Sequence, residues 1–363
     1  MKTSKRKFEH IKICLKNNVE IGSTRLNEIN FYGFEDVDFI HKSLPEINFD
    51  EIDTSINFFG KELNAPIIIS GMTGGTKIAE KINKNLAIAA ESCKIAFGVG
   101  SQRAAIENPK LIKTYYVRDV APNIFLIANL GAIQLNYGYS TEEIKKAVEM
   151  IKADALALHL NALQEVFQPE GDRNWKGCLK KIEHICEHVN FPIIVKETGA
   201  GINREIAKMI EKAKASAIDI SGYGGTSWSL IESKRRSGME KNPLINWGIP
   251  TAISLIECVE SVKIPIIASG GIRNGLDIAK CIAVGASSVG IALPFLKPAT
   301  KSYKLVKKEI EKIVKELKMA MFLVGAKNIK ELRKVPIVIT GKTREWAEVR
   351  GIDIKRFAKR KKT

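Results

Sequence analysis

The strongest constraint on what this chain can fold into is a recurrence. Eight short apolar runs, APIIIS at 65, IAFGVG at 95, IFLIANL at 124, ALALHLN at 155, FPIIVKE at 191, AIDISG at 217, IPIIASGG at 264 and SVGIAL at 288, alternate with amphipathic stretches. The latter include TKIAEKINKNLAIAAES, STEEIKKAVEMIKA, WKGCLKKIEHICEHV, NREIAKMIEKA and LDIAKCIAVGA, several opened by a Thr, Ser, Asn or Asp that can cap a helix. Strand-helix alternation is the pattern of a parallel α/β fold. Eight units predict a closed (β/α)8 TIM barrel, because a doubly wound open sheet would more naturally stop at five or six strands. The expected layout is an N-terminal cap segment over 1–64 closing over the site, the barrel over 65–318, and a C-terminal helical extension with a basic tail over 319–363, all as one domain.

Polar or glycine-rich residues gather at the C-terminal ends of the runs, as SGMTGG, GVGSQR, NLGAIQLN, HLNALQE, KETGAG, SGYGGTSW, SGGIRNG and GIALP. In a barrel all of these ends open on one face, where active sites are built. In DALALHLN, period-two alternation sets Ala155, Ala157, His159 and Asn161 on one face and Leu156, Leu158 and Leu160 on the other. The leucines are expected to meet the surrounding helices. The alanines then point inward, with His159 and Asn161 at the top layer and Gln164 and Glu165 in the loop that follows. Any one of these polar residues alone reads as a satisfied loop residue, but four together at one strand end point to a ligand. Glu165 suits a hard divalent cation such as Mg²⁺, which takes one or two carboxylates and fills its remaining positions with water and substrate phosphate.

The loops SGGIRNG and GIALP each lead into a helix, the arrangement in which late barrel loops cradle a phosphate through backbone N–H groups. Gly271 and Gly275 permit close approach and Arg273 adds charge, while the Thr226 hydroxyl in GYGGTSW can reach the same phosphate. Lys196 ends an apolar run and needs a nearby anion, either Glu197 or the electron-rich end of a bound cofactor; a fixed ammonium beside a flavin's N1 tunes its electronics. Arg103, and Arg6 and Lys7 if the cap folds over, bring basic groups suited to phosphate.

The formal net charge of +17 admits a nucleic-acid or membrane surface, or a small anionic substrate steered by a basic protein. Part of it lies in the head KTSKRK and the tail KRFAKRKKT, whose plain reading is a frayed, solvated end. No aromatic residues interleave with a basic stripe as a single-strand binder requires. Six cysteines without a C-x-x-C pair suggest neither a zinc site nor a disulfide framework. With no membrane-length apolar run and no secretory signal, a soluble cytoplasmic protein without nucleic-acid or membrane partners is expected.

Taken together, RKFEH, MTGG, GSQR, HLNALQE, QPEGD, KETG, SGYGGTSW and GGIRNG closely resemble the flavin-dependent type 2 isopentenyl-diphosphate isomerases, in that family's order from about residue 5 to about 345. The resemblance implies FMN contacts at Met72, Thr73, Gly74, Ser101, Asn129, Lys196, Thr226, Gly271, Ile272, Arg273, Ala292 and Leu293. It implies substrate contacts at Arg6, Lys7, Ser101, Gln102, Arg103, His159, Asn161 and Gln164, with catalytic roles at Gln164, His159 and Lys196 and a magnesium ligand at Glu165. It also implies NADPH as reductant, an isopentenyl or dimethylallyl diphosphate substrate, and a homo-oligomer, tetramer or octamer.

The nearest alternative is an FMN-dependent 2-hydroxy-acid oxidase, whose chemistry wants a histidine base beside an arginine after a late strand. SGGIRNG offers arginine without histidine. An inosinate-dehydrogenase-like enzyme wants a nucleophilic cysteine in the sixth loop, where SGYGGTSW has none.

Overall fold

The computed structural model describes residues 2–20, 31–235 and 242–360. Positions 21–30 of the expected cap and 361–363 of the basic tail lie outside the described residues.

The eight apolar runs form eight parallel strands: β1 (Ile67–Ile69), β2 (Ala96–Gly98), β3 (Leu126–Gly131), β4 (Ala155–Leu160), β5 (Ile193–Glu197), β6 (Ala217–Asp219), β7 (Ile266–Ser269) and β8 (Ser288–Ile291). Each pairs with its sequence neighbours, and β8 closes onto β1 through Gly290 opposite Ile68, giving a (β/α)8 barrel. Three of the helices between them start where the capping residues predict. Thr76 accepts from Ala79 and Asn203 from Ile206, and Ser140 forms a capping box with Glu143, whereas the helix of LDIAKCIAVGA starts earlier, at Gly275, with Asn274 accepting from Asp277.

Alternation along the strands divides two cores. Leu156, Leu158, Val195, Ile218 and Val289 face the helix layer. Ile68, Ala96, Ile127, Ala155, Ala157, Ile194, Ala217 and Ile267 face the barrel axis. The small residues on that axis leave room near the floor, and the hairpin of Ile56–Phe58 and Lys61–Leu63 fills it with Phe58 and Leu63. Phe58 and Phe125 meet edge to face at 5.0 Å. The first 64 residues are therefore not a single cap. The helix Lys2–Lys16 lies at the mouth, while the hairpin plugs the opposite end, because the axial alanines demand a bulky filler from outside the strands.

The termini also differ from the frayed ends their charge suggests. Glu9 and His10, on the N-terminal helix, bond Arg235 and Glu232 at 3.2 and 2.9 Å. At the other end Phe357 is fully buried, with Arg356 and Arg360 lying 5.0 and 4.5 Å from its ring. These contacts lie within the segment itself; what docks it is the burial of Phe357 in the core, with Arg360 donating to the Ala283 carbonyl at 2.5 Å and Arg356 pairing with Glu260. Val37–Phe39 pairs antiparallel with Ile337–Ile339, so residues from both ends share one small sheet outside the barrel. The boundary expected at 318 falls inside the continuous helix Tyr303–Leu323.

Candidate active site

The strand ends converge on one cavity at the C-terminal mouth of the barrel. Of the site residues singled out from sequence, all but Gln102 and Gly275 line it; Gly275 instead packs its bare backbone against the helix Tyr303–Leu323, where a Cβ would strike Leu317 and Ile313. Gln102 is fully buried and faces the framework: its amide nitrogen donates to the Ala147 carbonyl at 2.8 Å and its oxygen accepts the Asn129 N–H at 2.9 Å. Both ends of the amide are used, so Gln102 braces Asn129 instead of facing a ligand.

His159, at the top of β4, lies opposite Gly131 of β3. Its Nδ1 is 2.8 Å from Asn129 Oδ1. An amide oxygen there assigns the proton to Nδ1 and leaves Nε2 as an acceptor. Burial, then the charges of Lys7 and Lys196, push the imidazole down to about 3, so it is neutral near pH 7.

After Asn161 the chain forms the short helix Ala162–Phe167 instead of the expected loop. This turn places Asn161 and Glu165 on one side, with Asn161 Nδ2 donating to Glu165 Oε1 at 2.7 Å. Glu165 Oε2 accepts the Asp172 N–H at 2.8 Å. Burial raises the Glu165 carboxyl above its ordinary range against these hydrogen bonds. Gln164 turns the other way, its Nε2 donating to Glu232 Oε1 at 3.1 Å.

Glu232 is one of the residues that sequence reasoning missed, with Ser70, Asp219 and Trp228. It is fully buried on the helix Trp228–Arg235 and also meets His10 Nε2 at 2.9 Å and Arg235 at 2.5 Å. Burial works to raise its carboxyl, but the hydrogen bonds and charges of His10 and Arg235 outweigh that and hold it down at about 2. His10 packs edge to face on Trp228 at 5.2 Å, and both line the cavity. The local pattern SLIESKR contains no signal for this site, because the carboxylate's histidine partner lies more than two hundred residues away.

Around the mouth, basic groups are held by fixed partners. Lys7 Nζ donates to the Ser101 carbonyl at 2.7 Å, and burial with the neighbouring Arg6 charge pushes it down to about 7. Arg103 is clamped by Asp172 and Glu107 at 2.9 and 2.8 Å. Arg6 lies 3.7 Å from Glu170. Across the rim Arg273 pairs with Glu20, while Ser227 N–H donates to the Val19 carbonyl at 2.9 Å, so the chain after the N-terminal helix spans loops six and seven.

Lys196 does not use Glu197. The Glu197 carboxylate accepts the backbone N–H groups of Thr198, Gly199 and Ala200. The partner of Lys196 is Asp219 on the adjacent strand, at 3.0 Å. Parallel pairing sets these residues side by side, whereas consecutive residues of one strand point to opposite faces.

The donor set fits a flavin mononucleotide. Ser70 Oγ and Asn161 Oδ1 line the cavity, are buried, and have no hydrogen-bond partner among the described residues. A Cβ at Gly74 would enter the Tyr115 ring, and one at Gly71 would strike the Val99 carbonyl, so this wall keeps bare backbone at the cavity. Gly271, with φ +81°, crosses under the Gly224 carbonyl beside Arg273 and the start of the helix Leu293–Lys301. Bare backbone, a cation and a helix start together suit a phosphate. For a metal, no group of three or more His, Cys, Asp or Glu residues is placed to hold an ion among the described residues. The single Glu165 carboxylate fits Mg²⁺ where substrate phosphate and water complete the shell.

Residues 131–338 match the model of the FMN-dependent dehydrogenase family, the class that the barrel and its rim define. The fold is shared with a mandelate oxidase, with a TM-score of 0.65 and 17% identity over 92% of this chain and 94% of the other. A lactate oxidase of Pediococcus acidilactici gives 0.63 and 18% over 86% of each. The isopentenyl-diphosphate delta-isomerase of Pyrococcus furiosus is 53% identical over 99% of this chain and 92% of the relative. That of Methanosarcina mazei is 48% identical over 97% and 96%. The chain belongs to the isopentenyl-diphosphate delta-isomerase family, on the fold of the FMN-dependent dehydrogenases.

Proposed function

We propose that this protein interconverts isopentenyl and dimethylallyl diphosphate by a 1,3-proton shift, using reduced FMN and Mg²⁺. The observation that carries the reading is a juxtaposition. Arg6, Lys7 and Arg103 meet the Met72–Gly74, Asn129 and Lys196 wall across one cavity, with the Gln164–Glu232–His10 network between them.

Arg6, Lys7 and Arg103 would hold the diphosphate, with His159 joining them only as the imidazolium that a bound anion favours, and Glu165 would hold the Mg²⁺. Binding energy from this charged end holds a small apolar tail in register. Met72, Thr73, Gly74, Ser101, Asn129, Lys196, Thr226, Gly271, Ile272, Arg273, Ala292 and Leu293 form the wall assigned to FMN. When bound, reduced FMN supplies an electron-rich face and an exchangeable proton beside the alkene. Protonating an unactivated alkene builds positive charge on a tertiary carbon, so the residues around it must exclude water and provide no competing nucleophile. Trp228, Ile11 and Leu296 supply apolar walls of the same cavity. Gln164 is a positioning amide whose N–H is anchored on a carboxylate that stays ionised, and it is too weak an acid to donate the proton itself.

The reaction involves no net oxidation, so the flavin must arrive reduced, and NADPH is the assigned reductant. Six free cysteines fit a reducing, cytoplasmic setting. No helix among the described residues is long and apolar enough to cross a membrane. A homo-oligomer is supported by apolar surface on two helices joined by the 2.6 Å Arg350–Glu205 pair: Ile206 and Met209 on one, Trp346 and Val349 on the other. The test is an anaerobic assay with isopentenyl diphosphate, FMN, NADPH and Mg²⁺, followed by NMR. Dimethylallyl diphosphate should form only in the complete mixture; oxidation of a 2-hydroxy acid with no isomerisation would reverse the assignment.

A further inference from the structure

Behind the lysine in the cavity wall stands a carboxylate that no part of the mechanism above uses. Lys196 and Ser269 line the cavity, whereas Asp219, between them in strand order, does not. Asp219 is 6% exposed, and its two oxygens are divided between its neighbours. Oδ2 lies 3.0 Å from Lys196 Nζ, and Oδ1 accepts the Ser269 hydroxyl. The strand register fixes this arrangement, since Lys196 of β5 is the cross-strand partner of Asp219, and Ile267, two residues before Ser269, is its partner on β7. The adjacent carboxylate, Glu197, is committed to three backbone N–H groups and faces away.

We infer that Asp219 is the positioning and charge-setting residue of the cofactor wall: it fixes the Lys196 ammonium and cancels its charge, so the bound group meets a neutral, oriented ion pair instead of a net cation. The inference rests on the assignment of Lys196 to FMN made above. An uncompensated ammonium beside the flavin N1 region would stabilise the anionic reduced form and draw electron density from it. A compensated one orients the ring while leaving the reduced flavin electron-rich, which suits chemistry that uses that form without oxidising it.

The test is a cycle of Asp219→Asn, Lys196→Met and the double variant in the full chain reconstituted with FMN, read as two-electron midpoint potential at one pH. Asp219→Asn should favour the reduced form about tenfold, an upward shift of about 30 mV, and Lys196→Met should shift it downward by a similar factor. The double variant should return to within about threefold of the parent, because a neutral pair has been replaced by neutral groups. If the double variant matches Lys196→Met, or Asp219→Asn leaves the potential unchanged or lowers it, the compensation does not exist. Should Asp219→Asn not fold, the comparison of Lys196→Met with the double variant, which leaves no buried charge unpaired, decides the same point. Failure of the parent chain to retain FMN would instead overturn the cofactor assignment itself, an outcome separate from a wrong pattern in the cycle.

Discussion

At the scale of single residues, the site combines cations that are desolvated with a histidine that is neutral. Lys7 has been pushed down to about 7, so near neutral pH it is partly deprotonated in the free protein. A diphosphate beside it favours the charged form, and binding should therefore take up a proton. Calorimetry in buffers of different ionisation enthalpy should show uptake that grows from pH 7 to pH 8 and disappears in Lys7→Met; buffer-independent heats would contradict the assignment. Glu165→Gln keeps the shape of the carboxylate and removes its charge, so the variant should remain yellow while Mg²⁺ activation falls by at least about tenfold, the loss expected when a metal ligand is weakened. Unchanged Mg²⁺ titration would remove Glu165 from the metal. Residues at strand ends, such as His159, Asn161 and Lys196, were legible in the sequence because polar groups gather where the apolar runs end, although any one alone reads as a satisfied loop residue. Their partners were not. Asp219 sits within an apolar run and Glu232 within an ordinary helical pattern, and both become functional only through long-range pairing that no local period records.

At the scale of elements, strand order and several helix caps followed from alternation and from Thr76, Ser140 and Asn203. The floor did not. FFGKEL falls in the segment expected to cap the mouth, and its destination is set by the space that Ala96, Ala155 and Ala217 leave at the axis. Phe58→Ala should reopen that space and destabilise the protein by about 3–5 kcal/mol. Equilibrium denaturation reads this directly, and a loss below about 1 kcal/mol would mean that the hairpin does not plug the barrel. The helix Ala162–Phe167 was likewise hidden, because six residues give too little periodicity to separate a helical turn from a loop.

At the scale of the whole molecule, part of the +17 charge has a local place. Some of it is docked, as at Arg356 and Arg360 around Phe357, and some is gathered at the cavity as Arg6, Lys7 and Arg103. The apolar surface suggests self-association: Val349 is 88% exposed beside Trp346. Light scattering should report a tetramer or octamer, and Val349→Glu should shift it toward smaller species without changing FMN content; a monomeric parent would contradict this. Whether one barrel mouth gathers both flavin and diphosphate is decided by electron density for the protein crystallised with FMN, Mg²⁺ and isopentenyl diphosphate. The flavin ring is expected between Asn129 and Lys196, its phosphate at Gly271 and Arg273, and the substrate diphosphate among Arg6, Lys7 and Arg103. Flavin bound away from this mouth, or a diphosphate on the far side of the barrel, would contradict that placement.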